Sequence, residues 1–221
     1  MSKISSSKTN TSKAERSKTA IIAVAENHFS RFGFAATRLE DIAEELGLTR
    51  AALFYYFRDK QMLYDAMVAE SFGDLASKLG VLLESDDLSV SERLERAVIA
   101  WVDSVVARPN LARLIMRFVA DGIDEPARRI FAQNNLVPMK FFGLFQEGRE
   151  SGELQPLHED PFHAASAIIG TTVFYVAAVT ALVPGSHFEP LDPEQVAVHR
   201  QEALRSARRL LGIKDRGEAA D

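Results

Sequence analysis

The chain has 221 residues, of which 47% are hydrophobic and 26% charged. That is the composition of a soluble globular protein with room for one small and one larger domain. Cysteine is absent, which excludes disulfides and thiolate metal centres and fits a reducing, cytoplasmic setting. The net charge of −5 opposes nucleic acid at first sight, but residues 1–60 hold 10 Lys or Arg against 7 Asp or Glu, while residues 61–221 hold 16 against 24. An acidic body is repelled from a duplex and turns the basic end toward it.

Residues 1–13, MSKISSSKTNTSK, are polar and lack an apolar h-region, so they read as a flexible basic arm and not as a secretory signal. Apolar residues then recur at helical spacing at Ala20, Ile21, Val24, Ala25, His28 and Phe29, predicting a helix over 14–31 closed by Phe32 and Gly33. His28 belongs at the edge of a core, because no metal-ligating residue stands three or four places further on.

Residues 37–60, TRLEDIAEELGLTRAALFYYFRDK, carry the most information. Thr37 and Glu40 have the T-x-x-E spacing of a capping box, and Leu39, Ile42, Ala43 and Leu46 follow at helical spacing. Gly47 supplies a left-handed stop, Leu48 packs under the turn, and Thr49 is the expected N-cap of a second helix running to about Phe57. Helices joined so tightly cross steeply, as in a helix-turn-helix. Stepping about 100° per residue puts Leu53 and Phe57 on the core side and Ala51 and Tyr55 opposite. Phe54 and Arg50 fall on one flank, Ala52 and Tyr56 on the other. A small residue, an arginine and an exposed aromatic suit a helix lying in a major groove.

The segment from Phe29 to Val68 resembles the DNA-binding domain of the tetracycline-repressor (TetR) family. The pattern is met by Phe29, Gly33, Phe34, Thr37, Ile42, Ala43, Gly47, Leu48, Thr49, Leu53, Phe54, Tyr56, Phe57 and Lys60. Arg38, Ala51 and Tyr55 depart from it, all at outward positions that bear on operator sequence. The resemblance implies a dimeric regulator binding double-stranded DNA at a palindromic operator, with a phosphate contact at Lys60. Thr49, Arg50, Ala51 and Tyr55 are the expected contacts to bases, and Thr37, Arg38, Tyr56 and Lys60 those to phosphates.

Asp59 caps a long helix over 60–83 that joins the two domains, and Lys60 in its first turn stands against the helix dipole, a conflict that a nearby phosphate would relieve. Further starts are marked by S-x-x-E at Ser89 to Glu92, by Asp160-Pro161, and by Asp192-Pro193 with Gln195. Helices are predicted at about 90–107, 110–121, 125–150, 161–183 and 193–211. The fold class is all-α, with an N-terminal three-helix DNA-binding domain over 14–60, a larger helical ligand-binding and dimerisation domain over 61–213, and a tail over 214–221.

Residues 162–183 contain no Asp, Glu, Lys or Arg. His163, Ser166, Thr171, Thr172 and Thr180 interrupt the run and its flanks lack a basic anchor, so burial in a protein interior is preferred over a membrane span. As the resemblance implies, this helix and the last one would form a four-helix homodimer interface, with Ala167, Gly170, Phe174, Ala177, Ala178, Leu204 and Leu211 as candidates. Trp101, Met116, Phe118, Phe131, Phe142, Phe145, Phe174 and Tyr175 are bulky enough to line a pocket for a small, largely apolar effector. Arg113 and Arg117 read as a solvated helix face. The stretch from His158 to His163 lacks the i, i+4 histidine pair of a zinc motif, and no catalytic residue, metal site or cofactor is expected. The alternatives are an all-α enzyme and a DNA-binding protein without an effector.

Overall fold

The computed structural model describes residues 5–122, 128, 136–183 and 187–214, with side chains at 14–122, 128, 137–183 and 187–214. Among the described residues the regular structure is helical throughout: α1 (Ser5–Ala36), α2 (Leu39–Glu45), α3 (Arg50–Tyr56), α4 (Lys60–Leu83), α5 (Val90–Ala107), α6 (Pro109–Asp121), α7 (Leu136–Ser151), α8 (Pro161–Ala177), α9 (Val179–Leu182) and α10 (Pro193–Leu211).

The first core is built where the apolar stripes of four helices meet. Ile21, Ala25 and Phe29 from α1, Ile42 and Ala43 from α2, and Leu53 from α3 close over Leu63 and Tyr64 of α4, all buried. Tyr64 anchors the aromatic part of this contact, edge-on to Phe29 and Phe34 with ring centroids 5.0 Å away in each case. α4 then leaves this unit and packs on α5 and α7. α5 runs through the middle of the large domain against α4, α7, α8 and α10, and its buried Leu94, Val98, Trp101, Val102 and Val105 fall on one helical stripe. α6 lies on α1 and α8, so it belongs to both units.

Helix ends follow local chemistry. Ser89 and Glu92 form the reciprocal capping box, while Asp59, Asp160 and Asp192 each accept a backbone N–H in the first turn of α4, α8 and α10. The Asp59 carboxyl lies below its usual range, chiefly because the Met62 N–H donates to it. Gly212, at φ 64°, ends α10, and its carbonyl accepts from the Gln155 N–H at 3.2 Å, joining the end of α10 to the segment after α7.

Several expectations need correction. α1 begins at Ser5, so helical backbone enters the stretch expected to be a flexible arm, and its kink falls at Gly33 with φ 76°. Ala20 is exposed. The capping box at Thr37 and Glu40 does not form: the N-cap of α2 is Arg38, without a side-chain cap. The Thr37 hydroxyl instead donates to the Gly33 carbonyl at 2.7 Å, where a buried threonine closes the end of α1. The helix expected over 161–183 breaks at Ala178, where φ is −122°, and a short helical turn, α9, follows from Val179. Of the helix expected over 125–150, α7 is the part within the described residues. No helix among the described residues is long and apolar enough to cross a membrane.

Candidate nucleic-acid interface

α2 ends in a Schellman motif, with the Leu48 N–H on the Ala43 carbonyl at 2.8 Å and the Gly47 N–H on the Glu44 carbonyl at 2.9 Å. Gly47 takes the left-handed backbone this requires, at φ 63°. The turn delivers Thr49 at the start of α3, where its hydroxyl oxygen accepts from the Ala52 N–H at 3.1 Å. Leu53 and Phe57 are buried, and Ala51 and Tyr55 point the other way, Tyr55 with 83% of its surface exposed. Phe54, Ala52 and Tyr56 are half-buried on the flanks. The face expected from the helical step is therefore the face presented.

Arg50 is exposed but not idle. Nη1 pairs with Glu40 of α2 at 3.0 Å, and the guanidinium lies over the Phe54 ring at 5.3 Å from its centroid. Tyr55 meets Tyr56 edge-on at 5.2 Å. Arg38 is exposed where the chain enters α2. His28 sits at the edge of the core and bonds Glu45 at 2.8 Å, as its place in α1 suggested.

Two of the residues expected at phosphates are engaged elsewhere. Thr37 is 2% exposed, with its hydroxyl on Gly33. Lys60 directs Nζ to the carbonyls of Phe34, Ala35 and Thr37, at 2.7, 3.1 and 3.0 Å, and lies over the Phe34 ring at 4.6 Å. An ammonium has three N–H donors, and three carbonyls take them. The oxygens at the end of α1 thus relieve the conflict between Lys60 and the dipole of α4, in the place of a phosphate.

The effector-pocket candidates are dispersed. Trp101, Phe118 and Phe145 are buried, Phe142 and Tyr175 half-buried, Met116 and Phe174 exposed, and Phe131 lies outside the described residues. Trp101 is notable because its indole Nε1 is buried among the described residues without a hydrogen-bond partner. Phe118 lines a cleft of about 390 Å³ between the end of α1, Tyr64 and α6. A second cleft of about 310 Å³ lies between α8 and α10, lined by Ala167, Ile168, Thr171, Ala203 and Leu210 among others.

Among the interface candidates, Gly170 and Phe174 are exposed, Ala167, Ala177, Ala178 and Leu204 half-buried, and Leu211 wholly buried in its own chain, where no partner reaches it. Phe162, Ile169 and Val198 add exposed apolar surface on α8 and α10. Behind that surface His199 stacks on Tyr175, rings 3.8 Å apart and 6° from parallel, and its Nε2 lies 3.2 Å from Thr172 Oγ1. Burial holds the His199 imidazole below its usual pKa and raises the Tyr175 phenol, with Asp192 adding to the latter.

Arg113 is solvated, bonding Asn110 at 2.9 Å, but Arg117 is not a plain surface charge, since its Nη2 donates to the Arg31 carbonyl at 2.6 Å. The sequence reading also missed Glu26, a carboxylate within the apolar stripe of α1 and 7% exposed. Its signal was that position, since a charge on a buried face requires a partner.

The model of the family described as "Bacterial regulatory proteins, tetR family" matches residues 21–67, and that described as "Tetracyclin repressor-like, C-terminal domain" matches residues 87–202. The transcriptional regulator RutR of Escherichia coli (strain K12) is 47% identical over 53 residues, which are 24% of this chain and about a quarter of RutR's length. AcrR of Shigella flexneri is 29% identical over 162 residues, 71% of this chain and 74% of AcrR. The crystal structure of FadR from Bacillus subtilis in complex with stearoyl-CoA superposes with a TM-score of 0.62 at 18% identity, covering 89% of this chain and 99% of FadR.

Proposed function

The chain belongs to the TetR family of bacterial transcriptional regulators, and from that premise we propose that it is a repressor, dimeric on a palindromic operator and released by a small, largely apolar effector. The observation that carries the DNA-reading part is α3: Arg50, Ala51 and Tyr55 stand outward on a helix whose other side is locked into the core by Leu53 and Phe57. These three, with Thr49, are assigned to base edges, and Arg38 and Tyr56 to phosphates. Lys60 and Thr37 are assigned to holding the end of α1.

The dimer is supported by the apolar outer face of α8 and α10, where Phe162, Ile169, Phe174 and Val198 are too exposed for a lone chain. Twofold symmetry then places two α3 helices on half-sites about one helical turn or slightly more apart. The effector reading is supported by the aromatic content of the large domain and by FadR, whose structure holds a long acyl thioester. The unpartnered Trp101 Nε1 is the donor that a hydrogen-bond acceptor on such a molecule would meet. Release follows if effector favours a state with the recognition helices wrongly spaced, α4 being the lever, and the shift cannot exceed the effector's difference in affinity for the two states. A regulator and not an enzyme is the reading that the relatives favour, and its place of work is the bacterial cytoplasm, where the chromosome lies.

Selection of binding sites from random duplex DNA tests this directly. A palindrome should be enriched by the dimeric protein. Recovery of no sequence at low salt, from folded dimer, would sink the operator reading. The chain's one tryptophan then allows effectors to be sought by fluorescence, and operator affinity indifferent to every compound that shifts Trp101 emission would favour effector-independent binding.

A further inference from the structure

Glu26, midway along α1, turns its carboxylate into the junction between the DNA-binding unit and the large domain. Oε2 accepts from Ser71 Oγ of α4 at 2.6 Å and from Arg108 Nη2 at 2.5 Å, and Arg108 Nη2 also lies 3.3 Å from Ser71 Oγ. Ser71 is fully buried and Glu26 nearly so. The three residues come from the recognition unit, the connecting helix and the α5–α6 turn. Pro109 keeps Arg108 out of helical backbone there, at φ −131° and ψ 77°. Further along α6, Arg117 donates to the Arg31 carbonyl, so α6 is tied to α1 at two points.

Apolar contacts between helices tolerate small slides, because they are non-directional. A buried carboxylate with a guanidinium and a hydroxyl does not, since only one arrangement satisfies all three, and drawing the partly exposed guanidinium into solvent leaves the Glu26 carboxylate desolvated and unpaired. Such a cluster adds little net stability over an apolar replacement but selects one geometry.

We propose that Glu26 and Arg108, joined through Ser71, are positioning residues for DNA binding: they hold the helix-turn-helix at one angle to the large domain and so fix the separation of the two recognition helices. The second half rests on the dimeric reading above; the first does not. An effector that displaces the α5–α6 turn would act by drawing Arg108 away from Glu26.

Because the chain has no cysteine, spin labels can be placed on cysteines introduced at the exposed Glu44 of α2 and Arg96 of α5, with labelled chains diluted among unlabelled ones. The parent protein should give one narrow distance. The double variant Glu26→Gln, Arg108→Met removes both charges and leaves neither stranded. It should give a broadened or second distance, and unlabelled it should bind the selected palindrome about tenfold more weakly, within the usual range of coupling between sites, with affinity for a single half-site duplex unchanged. An unchanged narrow distance in the folded double variant overturns the proposal. If that variant does not fold, Ser71→Ala decides on the same readout: partial broadening supports the proposal and a parental distribution refutes it. Failure of the palindrome selection counts against the dimeric reading and leaves the distance measurement valid.

Discussion

Lys60 shows how one side chain can be committed by the groups around it. Its three carbonyl partners belong to the end of α1 and the segment after it, where backbone oxygens lack helical donors. Lys60→Met keeps the aliphatic stem and removes the ammonium, and should lower unfolding free energy by about 1.5 to 3 kcal/mol in urea titration, the range for hydrogen bonds to a charged group. An unchanged stability with a salt dependence of DNA binding reduced by one phosphate would return Lys60 to the interface. Arg50 lies at the other extreme, held only by a surface ion pair and a ring face. Arg50→Ala should leave stability nearly untouched, weaken the best operator by roughly 1 to 3 kcal/mol and relax sequence selection at one base pair. Repeating the random-duplex selection with the variant checks this, and an identical operator would mean that Arg50 reads no base.

At the scale of elements, the end of α10 is the least forgiving. A Cβ on Gly212 would fall 1.8 Å from the Gln155 carbonyl oxygen, on top of a backbone at φ 64°. Gly212→Ala should therefore cost more than the roughly 1 to 2 kcal/mol of left-handed backbone alone, read as a lowered melting temperature. Such features differ in how far they could be seen in the sequence. The faces of α3 were legible because Leu53 and Phe57 obey the helical period, and the starts of α5, α8 and α10 because Ser89, Asp160 and Asp192 cap within their own turn. Thr37 was misread because a threonine just before a helix can either cap it or bond back to the carbonyl four residues earlier, and the kink at Gly33 decided for the second. Glu26 and Arg108 are 82 residues apart, and no local spacing announces such a pair.

For the whole molecule, the burial of His199 gives stability a dependence on pH on the acid side. His199 is buried between Tyr175 and Thr172 with its pKa lowered by that burial, so the unfolded chain takes up its proton first. Its contribution to stability is complete above the ordinary histidine pKa of about 6.5 and is lost as pH falls below it toward the depressed folded value. Urea midpoints should therefore decline on acidification from about pH 7 toward 5, and the decline should be shallower in His199→Gln. Because His199 lies behind the exposed apolar face of α8 and α10, association of two chains should weaken over the same interval, measurable by sedimentation. An association that persists unchanged while stability falls would place the interface elsewhere.

The pairing of Arg50 with Glu40 bears on how a binding site is searched for. A guanidinium already answered by a carboxylate of its own chain is withheld from any partner that offers less. An exposed pair of this kind is worth about 0.2 to 1 kcal/mol, whereas a guanine edge taken by both prongs of an arginine returns about 1 to 3 kcal/mol. If Arg50 reads a guanine as proposed, Glu40 would act as a toll at the reading head: over sequence lacking that base the arginine would stay folded back, contacts would be fewer, and the protein would move on sooner. Removing the carboxylate would trade discrimination for stickiness, lengthening residence on random DNA more than on the operator.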